Sequence, residues 1–142
     1  MCPIRSQSLF FILRGDRIIV GECRGPETLD MLQAMNTGHD GSLSTGHANS
    51  SEDMISRLEM MVLMGTELPL LAIRQQIAMG IDVLIHLERG KDNVRRVVEI
   101  SEVLGVVNGE IQLHILYDWE DGLVKKSDLQ KKGKHITGVY EG

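Results

Sequence analysis

Asp16-Arg17-Ile18-Ile19-Val20-Gly21-Glu22-Cys23-Arg24-Gly25-Pro26-Glu27-Thr28 decides the fold class of this chain. Its apolar centre, Ile18-Ile19-Val20, is β-branched and does not alternate. Such a run suits a strand covered on both faces, as in a parallel sheet. Gly25-Pro26-Glu27 then opens a helix. Proline tolerates the first helical turn, where no N–H is needed, and Glu27 complements the positive helix end. The helix carries Leu29, Leu32 and Met35 on one face. It stops at Asn36-Thr37-Gly38, because glycine accepts the left-handed cap conformation.

The chain continues in the same alternation. Gly41-Ser42-Leu43-Ser44-Thr45-Gly46-His47 is a run of small residues and reads as a central strand with close neighbours. Ser50 and Ser51 offer helix caps, Glu52 and Asp53 occupy the first turn, and Met54, Leu58, Met61 and Val62 repeat at helical spacing. Leu68-Pro69 starts a third helix with Leu70, Ile73 and Ile77 on one face. Residues 81–87, 94–103 and 111–117 then read as strands, joined by turns at Gly90-Lys91-Asp92-Asn93 and Asn108-Gly109. The first half alternates strand and helix and the second is an antiparallel meander, so the class is α/β.

Composition narrows the function. A chain of 142 residues is a natural single domain, and 42% hydrophobic with 25% charged residues is ordinary for a globular protein. A net charge of −5 argues against nucleic-acid binding, which needs clustered Lys and Arg. Lys125, Lys126, Lys131, Lys132 and Lys134 form the one basic cluster and read as a solvated tail. Cys2 and Cys23 suggest no disulfide framework, which fits a reducing cytoplasm. No apolar run reaches the length of a membrane span. Residues 9–13 are apolar but lie between Arg5 and Arg14 without a cleavage pattern, so no signal peptide is expected.

Ligands of open α/β sheets sit at the carboxyl ends of the strands. One predicted strand ends at Glu22 and the other at His47. As neighbours, they would face one crevice, where a carboxylate can orient or deprotonate water and a histidine can bond a phosphate. The residue pattern alone leaves plainer readings open: a glutamate where a strand meets water, and a histidine that is only hydrogen-bonded. His39, Asp40 and His47 are three potential metal ligands, but their spacing fits no metal motif. Cys23 reads as a small buried residue, and His86 and His114 as strand residues.

At these residues the sequence resembles a known family. The opening stretch resembles the atypical Walker B segment of the secretion ATPase superfamily, which serves type II and type IV secretion and pilus assembly. Thr37-Gly38-His39-Asp40-Gly41-Ser42-Leu43-Ser44-Thr45-Gly46-His47-Ala48-Asn49-Ser50 resembles its histidine box. Arg57-Leu58-Glu59-Met60-Met61-Val62 and Leu68-Pro69-Leu70-Leu71-Ala72-Ile73-Arg74-Gln75-Gln76-Ile77 resemble the tight-adherence, CpaF-type branch. The resemblance covers roughly residues 14–119, leaving 1–13 poorly matched and 120–142 as a tail.

The resemblance implies a partial RecA-like P-loop NTPase core followed by a C-terminal antiparallel β extension. It implies ATP and Mg2+ as ligands and a hexameric ring on the cytoplasmic side of the inner membrane, working with secretion or pilus platform proteins. Glu22 matches the residue that positions the attacking water, and His47 the histidine near the γ-phosphate. Arg24 and Glu27 match polar positions after the acidic motif, and Asn49 ends the histidine box. His39 and Thr45 are further carry-overs as nucleotide-binding or sensing residues.

The sequence also departs from the family pattern. It contains no G-x-x-x-x-G-K-[ST], and Gly15 stands where the family usually has proline. That loop supplies most contacts to the β- and γ-phosphates. This chain alone is therefore expected to bind ATP very weakly and hydrolyse it negligibly. Unpaired strand edges are expected to drive self-association or pairing with a complementing ATPase fragment. Two roles follow: part of an ATP-hydrolysing motor, or a catalytically inactive binding or regulatory module derived from one. The presence of the loop on a separate chain separates them.

Overall fold

The computed structural model describes residues 17–38 and 41–131. The readings made for Cys2, residues 9–13, His39, Asp40, Lys132 and Lys134 lie outside the described residues. Strand β1 (Ile19–Val20) pairs in parallel with β2 (Leu43–Ser44), and helix α1 (Glu27–Asn36) crosses over between them. Helices α2 (Ser51–Leu63) and α3 (Leu70–Gly80) follow. Strands β3 (Val83–Arg89), β4 (Arg95–Val107), β5 (Glu110–Trp119) and β6 (Leu123–Lys125) form an antiparallel sheet in sequence order.

The core lies between the three helices and one face of this sheet. Leu32, Val62, Ile73 and Ile77 are fully buried, and Leu84, Ile111 and Leu113 pack against them from the strands. Helical period places these residues together: α2 buries Ile55, Leu58, Met61 and Val62, while Met54 is half-buried. The Ser50 hydroxyl accepts the Asp53 N–H at 3.0 Å and so starts α2. The expected face of α1 is rotated. Thr28, Met31, Leu32 and Ala34 are buried, whereas Leu29 and Met35 are half-buried. A threonine can enter the core because its hydroxyl donates to the Gly25 carbonyl at 2.8 Å. In α3 the expected Leu70 is exposed, and Ala78 joins Ile73 and Ile77 instead.

Two expectations about the parallel strands are corrected. β1 and β2 have two residues each, and Ile19 and Leu43 are 74% and 64% exposed. Among the described residues β1 is thus not covered on both faces, and β2 is not a central strand. Among the described residues this sheet has only two strands, so no layer lies over their outward side chains.

The meander follows its turn signals. Asn108 and Gly109 both have positive φ, +52° and +81°, as a type I′ hairpin requires. β4 continues past the expected end at Val103 because a bulge between Val103 and Gly105 absorbs the break in alternation. The sheet also continues past Trp119, where the sequence pattern weakens, through β6. The lysines there are not simply solvated. Lys125 pairs with Asp128, Lys126 with Glu120, and Lys131 with Asp82 at 2.9 Å.

Candidate functional site

Parallel pairing makes the two short strands end side by side. Ile19 opposes Leu43 and Val20 opposes Ser44, so Gly21 and Thr45 leave the sheet together. The Thr45 hydroxyl donates to the Gly21 carbonyl and fastens the two exits. Glu22 and His47 then meet: His47 Nε2 lies 3.1 Å from Glu22 Oε1. The other carboxylate oxygen, Oε2, accepts the Arg24 Nε N–H at 2.9 Å, and Arg24 Nη2 lies 2.7 Å from it in an ion pair. The Glu22 side chain is 22% exposed, while those of Arg24 and His47 are 80% exposed. A sheltered carboxylate thus carries two groups that reach into solvent.

The remaining predicted residues divide by what they touch. Glu27 Oε1 accepts the N–H groups of Arg24 at 2.8 Å and Gly25 at 3.2 Å. It ties the loop to the start of α1. Asn49 gives its backbone N–H and its side-chain amide to Asp53 Oδ2, at 2.9 and 3.3 Å. It faces the first turn of α2. Glu22, Arg24, His47 and Thr45 are brought together, whereas Glu27 and Asn49 brace the two loops that carry them. Cys23 is buried with its thiol 3.4 Å from the Met31 sulfur, the small buried residue expected.

Charge follows geometry. Hydrogen bonding from Arg24 holds the Glu22 carboxyl below its ordinary value, against an opposing effect of partial burial; Arg24, His47 and Arg57 add attraction. The backbone N–H of Arg24 likewise holds Glu27 below its ordinary value. Burial pushes the Cys23 thiol up, which makes it a poor nucleophile.

Sequence reasoning missed Asp53 and Arg57. The signal was available: Asp53 stands three residues after the cap Ser50, and Arg57 four residues after Asp53 on the same helical face.

Among the described residues, no group of three His, Cys, Asp or Glu could hold a metal ion. Both Glu22 oxygens are engaged by Arg24 and His47. The described residues therefore do not by themselves fit a Mg2+ site. No helix among them is long and apolar enough to cross a membrane.

Comparison with known proteins identifies the family. The family model of the type II/IV secretion system protein matches residues 7–110, a span that takes in Glu22 and His47. A Mycobacterium tuberculosis protein whose name assigns it to conjugal transfer is 38% identical over 111 residues, 78% of this chain and 31% of its own length. The type IV secretion system protein VirB11 of Brucella abortus is 38% identical over 95 residues, 64% of this chain and 26% of its own length. The crystal structure of the VirB11 ATPase from the Brucella suis type IV secretion system, in complex with sulphate, superposes with a TM-score of 0.64 at 30% identity. That superposition covers 72% of this chain and 34% of the VirB11 chain. The chain thus spans about a third or less of the length of these relatives. With the family model matched over most of its residues, this mixed α/β chain belongs to the type II/IV secretion system protein family.

Proposed function

We propose that this chain supplies the water-positioning and γ-phosphate-facing part of an ATP-hydrolysing motor for type II/IV secretion or pilus assembly. The observation that carries this reading is the contact of Glu22 with His47, 3.1 Å apart at the common end of two parallel strands. Phosphoryl transfer is mostly positioning and charge stabilisation. Glu22 orients the attacking water and accepts its proton, and His47 bonds the γ-phosphate and registers its departure. Arg24 stands ready to meet phosphate oxygens. Thr45 holds the two strand ends together, and Glu27 and Asn49 brace the loops. His39 completes the nucleotide-sensing set.

The β- and γ-phosphates and their Mg2+ would be held by a phosphate-binding loop, which these 142 residues do not contain. In this proposal residues 14–119 are the C-terminal part of a RecA-like motor domain, followed by a tail. The working form is a homo-oligomeric ring, hexameric by family analogy, or a complex with a complementing fragment. It sits at the cytoplasmic face of the inner membrane through platform partners. Within the family the reading is the CpaF-type branch, on the resemblance of residues 57–62 and 68–77. Those two segments are joined by a half-buried ion pair, Arg74 Nε to Glu59 Oε1 at 2.7 Å. Arg74 also donates to the Gly109 carbonyl at 2.6 Å and so reaches the β4–β5 turn.

The test is a chimera in which residues 17–119 replace the matching segment of Brucella suis VirB11. It should hydrolyse ATP, and Glu22→Gln should lower kcat by about 10²–10⁴-fold with little change in KM. An active chimera indifferent to Glu22→Gln would sink the role of Glu22. A folded chimera without turnover would favour an inactive binding or regulatory module.

A further inference from the structure

Both carboxylate oxygens of Glu22 have a charged or titratable partner. A carboxylate offers about four lone-pair directions. Arg24 Nε donates to Oε2 with Nη2 ion-paired to the same oxygen, and His47 Nε2 stands 3.1 Å from Oε1. A carboxylate held by a guanidinium is a weaker base than a free one. The arginine that holds it is built to leave. Its backbone is anchored, because Arg24 N–H and Gly25 N–H both donate to Glu27 Oε1. Its side chain is 80% exposed, so no packing opposes a swing about that anchor. A guanidinium binds phosphate in the same forked way as it binds carboxylate.

We propose that Arg24 is a releasable clamp on Glu22, holding the carboxylate in this geometry and giving it up when a polyphosphate draws the guanidinium away. The clamp takes its purpose from the reading of Glu22 as the water-orienting carboxylate. Hydrolysis is then coupled to ligand arrival: Glu22 becomes a competent base only when Arg24 has a phosphate to meet. Among the described residues, Arg24 on its own loop, His47 after β2 and Arg57 on α2 face Glu22. Of these, only Arg24 is a guanidinium in direct contact with the carboxylate, a contact that a phosphate can replace.

The full chain, at 15.8 kDa, suits a carboxyl-carbon NMR titration of Glu22. In the wild type its midpoint should lie below the ordinary carboxylate range. Arg24→Gln should return it to that range, and Arg24→Lys should fall between. Saturating inorganic tripolyphosphate should then raise the wild-type midpoint towards that of Arg24→Gln while moving the Arg24→Gln protein much less. Equal midpoints in wild type and Arg24→Gln overturn the clamp. No response to tripolyphosphate, or an equal response in both proteins, overturns its release. If the clamp behaves as expected but the VirB11 chimera ignores Glu22→Gln, the ATPase reading fails and the ion pair stands as an anion-responsive switch of another process.

Discussion

Glu22 faces Arg24, His47 and Arg57, and that setting dictates how the site answers to acid. Glu27, Asp92 and Asp128 are also held below their ordinary values, Glu27 by backbone N–H groups and the two aspartates by Arg96 and Lys125. A carboxyl depressed in the folded state binds fewer protons there than in the unfolded chain. Its stabilising effect is therefore present above the ordinary carboxylate value. It is lost as pH falls through the folded value. The urea midpoint should drop as pH goes below about 4. Because Arg24, Asp92 and Asp128 are open to water, the drop should shrink at high salt. A midpoint that stays flat from neutral pH to pH 3 would count against these contacts. At this scale the sequence put Glu22 and His47 at two strand ends that would share a crevice if the strands were neighbours, and the parallel pairing of those strands brings them to 3.1 Å. Asp53 and Arg57 were harder to see, since helix-surface polar residues normally face water.

Element boundaries depend on contacts that are distant in sequence. The loop after α2 passes so close to the start of α1 that a Cβ on Gly65 would lie 2.5 Å from the Pro26 Cβ and 3.3 Å from its Cα. Neither group can move freely, because Pro26 caps α1. Gly65→Ala should cost about 1–3 kcal/mol in chemical denaturation. It should also disturb the Glu22–Arg24 contact, since Pro26 closes the loop that bears both residues. An unchanged denaturation midpoint would show that this close approach is not required. Helix α2 was legible from its period and its Ser50 cap, and the hairpin from Asn108-Gly109. The rotated face of α1 was not, because Thr28 is polar by composition and becomes a core residue only once the Gly25 carbonyl satisfies its hydroxyl. β6 was not either: three residues have too little pattern, and pairing with β5 makes them a strand.

The whole molecule leaves apolar surface open. Ile19 and Leu43 project from the two-stranded sheet, and Val83, Ile85 and Leu87 are exposed on β3, at the edge of the larger one. An apolar edge strand invites pairing with another chain. Light scattering should therefore show mass rising with protein concentration. Ile85→Lys should delay that rise, because a charge on the exposed face of an edge strand opposes stacking. A monomer at all concentrations, in wild type and variant alike, would refute the expected association. The sequence by itself determined the α/β class, the order of most elements, the turn positions and that Glu22 and His47 stand at strand ends. Those depend on local period, turn chemistry and the geometry of parallel strands. Only the tertiary structure decided how little of β1 and β2 forms and which face of α1 is buried. It also decided that Glu27 and Asn49 brace loops, and that Arg24 occupies Glu22. Those outcomes depend on which groups meet across the fold, where one hydrogen bond or one missing neighbour outweighs local preference.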